Sequence, residues 1–189
     1  MLIVLILCKF KDKIHVMALM REIRGKSPVF GRNCWFAENA TIVGDVTMGV
    51  ECSVWYNAVL RGDVHYIKIG DRVNIQDGAI VHCTYEKSPT NIGHNVSIGH
   101  NAIVHGCTIE DNVLIGMGSI VMDDCVIESG SIIGAGAVVT QGTHVKAGSL
   151  YTGVPAKYLK EVSPKLMGEE IERIANNYVK YAEWYKVKR

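Results

Sequence analysis

No sign of charge predominates in this chain: 20 Lys and Arg are set against 19 Asp and Glu, for a formal net charge of +1. That balance excludes a large electrostatic footprint for nucleic acid or an anionic membrane, because both need clustered cations. The one distinctly basic stretch, Lys180 to Arg189, also carries Tyr181, Trp184 and Tyr185 and reads as a solvated helix face. No CxxC pair occurs among Cys8, Cys34, Cys52, Cys83, Cys107 and Cys125, and no secretory segment is convincing, which argues against a disulfide framework. Several of these cysteines sit inside apolar repeats, where Cys behaves as a small hydrophobe, and a reducing cytoplasm is the expected setting. A membrane-spanning run is lacking as well. Met1 to Leu7 are wholly apolar but far too few to cross a bilayer, and they lack a basic n-region and a small-residue cleavage site. Lys9 to Lys13 break that run, and the first sixteen residues read as an upstream extension ahead of Met17 and Met20. With 21% charged and 48% apolar residues in 189, the remainder fits one ordinary globular domain with a modest terminal appendage.

What is present instead is a repeat of six. Apolar residues recur at Ile69, Ile75 and Val81, resume after a short insertion at Ile92, Ile98 and Val104, and continue through Ile109, Ile115 and Val121. Ile127, Ile133 and Val139 follow, then Val145 and Tyr151. Gly or a polar residue usually comes next, as at Gly93, Gly99, Gly116 and Gly134, and a small residue stands four positions on, as at Ala79, Ala102, Ser119 and Ala137. An earlier set, Val43, Gly49 and Trp55, fits less well and is assigned to the first coils. A helix repeats every 3.6 residues and an antiparallel strand every 2, so neither explains a period of six. A prism does: each hexapeptide supplies one short strand and a corner, three make a coil of about eighteen residues, and stacked coils bury the aliphatic position. This pattern resembles the hexapeptide-repeat superfamily, whose coils are left-handed, against the usual crossover rule. The expected fold is therefore an all-β solenoid, a left-handed parallel β-helix. Residues 1–29 are expected to form an N-terminal extension and entry segment, 30–160 the left-handed β-helix and 161–189 a C-terminal helix. Ser163-Pro164 supplies a cap and a helix-start proline for that helix, and Ile171, Ile174, Ala175, Tyr178, Ala182 and Tyr185 make one apolar face.

Register also sorts the seven histidines. His82 and His105 each directly follow the third aliphatic residue of a coil, so they share a face in adjacent coils, side by side at the stacking distance. Two imidazoles so placed can converge on one ion with bonds of about 2.0–2.1 Å. His100 follows Ile98 on the preceding face and should point away from that pair within one chain; a threefold neighbour would bring its own copy against the pair. Three neutral nitrogens with an open fourth position make a catalytic rather than a structural zinc site. His15, His94 and His144 read as surface or corner residues, and His65 as a residue of a subunit contact.

Leu60-Arg61-Gly62-Asp63-Val64-His65, Asn74-Ile75-Gln76-Asp77-Gly78, Val81-His82, Ile98-Gly99-His100 and Val104-His105-Gly106 resemble the γ-class carbonic anhydrases, over roughly Phe30 to Tyr185. The resemblance implies a homotrimer with zinc, or Fe(II) or Co(II), at subunit interfaces, held by His82 and His105 of one subunit and His100 of its neighbour. It implies an interface ion-pair network on Arg61, Asp63 and Asp77, and places Gln76 near the metal-bound solvent. The implied chemistry is reversible CO2 hydration, a zinc-bound hydroxide attacking CO2. The chain departs from the best-known archaeal form in its short Thr84–Thr90 loop, where Glu86 is the single carboxylate, and in Val64, where an acidic residue is found. Slow turnover is the corresponding expectation. Two other readings stay open: an acyltransferase using one histidine as general base, since Tyr151-Thr152-Gly153-Val154-Pro155 resembles a segment also seen in such enzymes, and a non-enzymatic metal-binding trimeric scaffold.

Overall fold

The computed structural model describes residues 18–186. The N-terminal apolar run, Cys8, His15 and the rest of residues 1–17 of the expected extension lie outside the described residues, as do 187–189. Between them runs a parallel β-solenoid of about seven coils, closed by a C-terminal helix. Its three faces follow from the repeat. On the first, Ile42, Leu60, Val81, Val104, Val121 and Val139 stack in register and are fully buried. Met48, Ile69, Ile92, Ile109, Ile127 and Val145 stack on the second. The third stacks Val54, Ile75, Ile98, Ile115, Ile133 and Tyr151. Each inward side chain meets its equivalents one coil above and below, so the core is a continuous column rather than a single cluster. Corners demand left-handed backbone, and Asn57, Asn95, Asn101 and Asn112 supply it at φ of 59°, 54°, 56° and 55°.

The earliest coils correct the sequence reading by one position. Ile42, Met48 and Val54 point inward, not Val43, Gly49 and Trp55. Two features disguised this. The strand Val59–Ile69 is 11 residues long and carries extra residues, Asp63 to Tyr66, around a corner, so counting by six back from Ile69 falls out of step. Trp55 is buried as an inward rung would be, but outside the prism, where its ring meets Tyr178 at 5.2 Å and Tyr185 at 5.4 Å. The same long strand joins the first and second faces into one 12-stranded sheet, leaving the third as an 8-stranded one.

The stack is closed at both ends. Leu19–Arg21 pairs onto Thr41–Val43 at the start. At the far end Lys157–Glu161 folds back antiparallel on Ser149–Thr152. The C-terminal helix then returns along the third face. Ser163 caps it, its Oγ accepting from Leu166 N at 3.2 Å with Pro164 in the first turn. One feature the sequence does not announce is a π-helical stretch, Met167–Glu172, between Pro164–Leu166 and Arg173–Tyr185. Ile171, Ala175 and Ala182 are buried beneath the helix, whereas Tyr185 stays largely exposed. Ser163→Ala should lower stability by about 1 kcal/mol through loss of the cap, read as a lower urea midpoint. Among the described residues no helix is long and apolar enough to cross a membrane.

Candidate metal centre

On the first face, the residue following each inward aliphatic turns outward at the strand's end. Leu60, Val81 and Val104 are in register, so Arg61, His82 and His105 emerge at equivalent rungs of three successive coils. The two imidazoles lie 5.0 Å apart at their centroids, with His82 Nδ1 3.1 Å from His105 Nε2. Each ring's other nitrogen is held by a carboxylate: His82 Nε2 bonds Asp63 Oδ1 at 3.1 Å, and His105 Nδ1 bonds Asp123 Oδ1 at 2.5 Å. With both ring protons directed at carboxylates, lone pairs face each other across 3.1 Å, which requires a cation or a proton to relieve it. Ligand nitrogens at about 2.0–2.1 Å from a tetrahedral ion sit about 3.3 Å apart, so the spacing fits a shared metal. Carboxylates on the far ring nitrogens are also the usual means of fixing a ligand's tautomer and orientation.

The surroundings favour the ligating form of His82. Burial pulls the His82 imidazole below its ordinary value, against the opposing hydrogen bond to Asp63, and favours the neutral ring. Burial pushes the Asp63 carboxyl up, but hydrogen bonds from Arg61 and His82 outweigh it and leave the group ionised below the usual range. Arg61 Nη1 donates to Asp63 Oδ2 at 2.7 Å, and its Nη2 lies 3.4 Å from His82 Nδ1. Asp123 is held in turn by Thr84 Oγ1 at 2.7 Å.

His100 lies elsewhere, at the corner that leaves the third face. Its Nδ1 is 2.9 Å from Asp77, and its Nε2 is 3.4 Å from Tyr178 Oη on the C-terminal helix. It shares a cavity of about 350 Å³ with Gln76, Gly99, Gly116 and Tyr178. Gln76 is buried and donates through Nε2 to Asn74 Oδ1 at 2.9 Å. Among the described residues no three His, Cys, Asp or Glu side chains of one chain converge on a metal position. A single chain thus carries two separate pieces: His82, His105, Arg61 and Asp63 on one side, His100, Gln76 and Asp77 on the other. Glu86 lines a second cavity, of about 360 Å³, with Asp63, Val64 and His65. Sequence reasoning missed Asp123 and gave Tyr178 only a packing role. No register signal marked Asp123, which lies one residue past Met122, the rung equivalent to His105 in the next coil.

The profile of the bacterial transferase hexapeptide family (six repeats) matches residues 106–141. A protein of Methanocaldococcus jannaschii named "Probable carbonic anhydrase" is 54% identical over 155 residues, 82% of this chain and 94% of that one. The chain belongs to the γ-class carbonic anhydrase family. As a member it is a carbonic anhydrase-like lyase on a hexapeptide-repeat scaffold. A Geobacillus kaustophilus carbonic anhydrase is 46% identical over 86% of this chain and 88% of its own. In three dimensions, a hexapeptide transferase family protein from Anaplasma phagocytophilum matches with a TM-score of 0.83 and 39% identity, over 89% of this chain and 98% of that one. This γ-class member therefore sits among relatives named for two different chemistries, and the side chains must decide between them.

Proposed function

We propose that the chain hydrates CO2 reversibly to bicarbonate as a homotrimer, with a divalent metal held by His82 and His105 of one subunit and the partner's His100. The observation that carries this reading is the pair of ring nitrogens facing each other at 3.1 Å, each backed by a carboxylate. Three imidazoles suit zinc, and Fe(II) or Co(II) satisfies the same donor set. When bound, such an ion supplies the Lewis acidity that brings a water's pKa to about 7. The chain's own groups then have separate tasks. Asp63 and Asp123 orient the two rings. Arg61 places a fixed positive charge beside the pair. Gln76 has its Nε2 committed to Asn74, so its Oε1 remains to accept from a water and aim it at CO2.

The trimer has its own support. The outward side of the first face is a ladder of aliphatics, Val59, Ile80, Ile103, Ile120 and Val138, and Ile80 is 40% exposed. The second face presents Lys68, Asn91, Thr108, Val126 and His144, all but one of which suit water, and the third is covered by the C-terminal helix. An uncovered apolar strip beside a half-formed metal site favours a second copy of the chain as its occupant. The unpaired thiols among the described residues suit a reducing compartment such as the cytoplasm.

Stopped-flow hydration of CO2 by zinc-loaded protein, paired with metal analysis, tests the reading. One metal per chain with hydration above the buffer rate is expected; protein that takes up no metal ends it. Bound metal with no hydration favours the scaffold reading instead. Acyl transfer is the second enzymatic reading, supported by the transferase-family likeness; it would require metal-free protein to turn over acetyl-CoA. Asp123→Asn should weaken metal binding roughly 10- to 100-fold, since it removes the charge that fixes His105. Competition titration with a chelator of known affinity reads that change.

A further inference from the structure

The solenoid that aligns His82 with His105 also aligns two cysteines, at the corner between the second and third faces and away from the aliphatic ladder. Trp35 is in register with Ser53, so Cys34 and Cys52 occupy equivalent positions immediately before them in the first two coils. Trp35 N donates to Cys52 O at 2.9 Å, which ties the two backbones together at this point. Neighbouring in-register strands place Cα atoms about 4.8 Å apart, inside the roughly 4.4–6.8 Å that a disulfide spans. Both thiols are free. They differ in access: Cys34 is half-buried, whereas Cys52 is 1% exposed.

We propose that Cys34 and Cys52 form a peroxide-sensitive pair, Cys34 reacting first and Cys52 closing a disulfide across the two coils. In the first step the Cys34 thiolate attacks one oxygen of hydrogen peroxide, the O–O bond breaks, hydroxide leaves and Cys34 becomes a sulfenic acid. The Cys52 thiol then attacks that sulfur as it gives up its proton, the S–O bond breaks, and the departing hydroxide takes that proton and leaves as water. Two electrons leave the thiols and reduce one peroxide to two waters. The division of roles follows from the surroundings. With both thiols protonated, Cys34 Sγ donates to Gly49 O at 3.2 Å and Cys52 Sγ to Gly70 O at 3.1 Å. Once Cys34 ionises the Cys52 thiol can donate to it, and this, set against burial, brings Cys34 down to about 7, helped by Lys186 and opposed by Asp71. Lys186 Nζ is anchored next door, donating to Asn33 O at 3.1 Å, and also pairs with Glu183. Cys52 is pushed up by the same hydrogen bond and by burial, so it stays protonated as the reserve thiol. The other described cysteines, Cys83, Cys107 and Cys125, are all buried with thiols pushed up by burial, and none has an exposed partner to react first.

The test uses the full chain and hydrogen peroxide. Peptide mapping of the unmutated protein should yield a Cys34–Cys52 cross-link that dithiothreitol reverses. Cys52→Ser, with dimedone present, should accumulate the trapped sulfenic acid on Cys34. In the unmutated protein, iodoacetamide should label Cys34 at pH 7 on the order of five-fold faster than free cysteine, because its lowered pKa raises the thiolate fraction there. Peroxide at doses that oxidise free glutathione, yet leaving both cysteines alkylatable, would overturn the proposal. So would a dimedone adduct on Cys52, a lasting sulfenic acid on Cys34 beside a free Cys52, or Cys34 labelling no faster than free cysteine. The cross-link and the labelling rate need no variant, so a poorly folded Cys52→Ser leaves the test intact.

Discussion

His105→Ala is expected to leave the protein without metal and to bring CO2 hydration down to the uncatalysed rate, while trimer and β-helix persist. The separation of effects follows from register. Val104 points into the core and carries the fold, whereas His105, one residue on, points out and is partly exposed. Truncating it removes no core contact, and Asp123 keeps its bond from Thr84 Oγ1. Substitutions of this kind away from the core usually change stability by about 0.5 kcal/mol or less. His100→Ala should have the same effect on metal and activity, although His100 lies on the other side of its own chain. Mixing the two variants gives a sharper outcome. A subunit with His100→Ala still offers the His82/His105 pair, and one with His105→Ala still offers the third ring. If each site spans two chains, re-assembling equal amounts should restore metal to about one site in four. If all ligands came from one chain, mixing would restore none. Metal analysis of trimers refolded together reads the difference directly.

The same register shows why so much of the molecule could be read from its sequence. From Ile69 to Tyr151 the inward positions differ by six except across the insertion after Val81 and at the five-residue step from Val104 to Ile109, and a period of six has no competing helical or hairpin explanation. Once those rungs are known, the positions of His82 and His105 relative to each other follow with no further information. The reading faltered where local count and burial part company. Asp63 to Tyr66 lengthen one corner, and Trp55 is a large apolar side chain buried outside the prism, so the first coils were displaced by one residue. The π-helical turn at Met167–Glu172 was beyond reach for another reason. It reflects how the helix settles on the third face, a tertiary effect with no marker in residues such as Gly168 or Ile171. Asp123 escaped because its coil is one residue out of step: Val121 pairs with Val104, so Met122, not Asp123, is the rung above His105. The carboxylate reaches the ring diagonally, and only coordinates reveal a diagonal. Tyr178 was read correctly as a residue on the buried face of a helix, but its hydroxyl's proximity to His100 joins segments 78 residues apart.

Coil spacing, which sets the distance between the His82 and His105 rings, is itself held by glycine, and Gly116→Ala should be far more damaging than Gly118→Ala. The two sites are separated only by Met117, yet they fail for different reasons. A Cβ at Gly116 would lie 2.5 Å from Ala135 N and 2.6 Å from Ile133 O, both backbone atoms of the next coil. Backbone cannot rotate aside as a side chain can, so the coils must separate and strain the bond from Gly116 N to Ile133 O, now 2.8 Å. Overpacking of this kind costs typically 1–3 kcal/mol and sometimes more, and a clash with backbone places Gly116→Ala at about 3 kcal/mol. At Gly118, with φ of +65°, a Cβ meets nothing within 4 Å. The cost there is only the left-handed strain of a non-glycine residue, about 1 kcal/mol. Because a solenoid's stability is a sum of coils and the contacts between neighbours, the Gly116 lesion should stay local. It faces the cavity shared with His100, and Gly118 N bonds His100 O at 2.8 Å, so the corner that carries the proposed third ligand lies within the disturbed region. Gly116→Ala should therefore lower metal affinity as well as the urea midpoint, whereas Gly118→Ala should shift the midpoint modestly and leave metal binding nearly unchanged. Equal losses at the two positions would mean that direct backbone contact does not set the spacing of the coils.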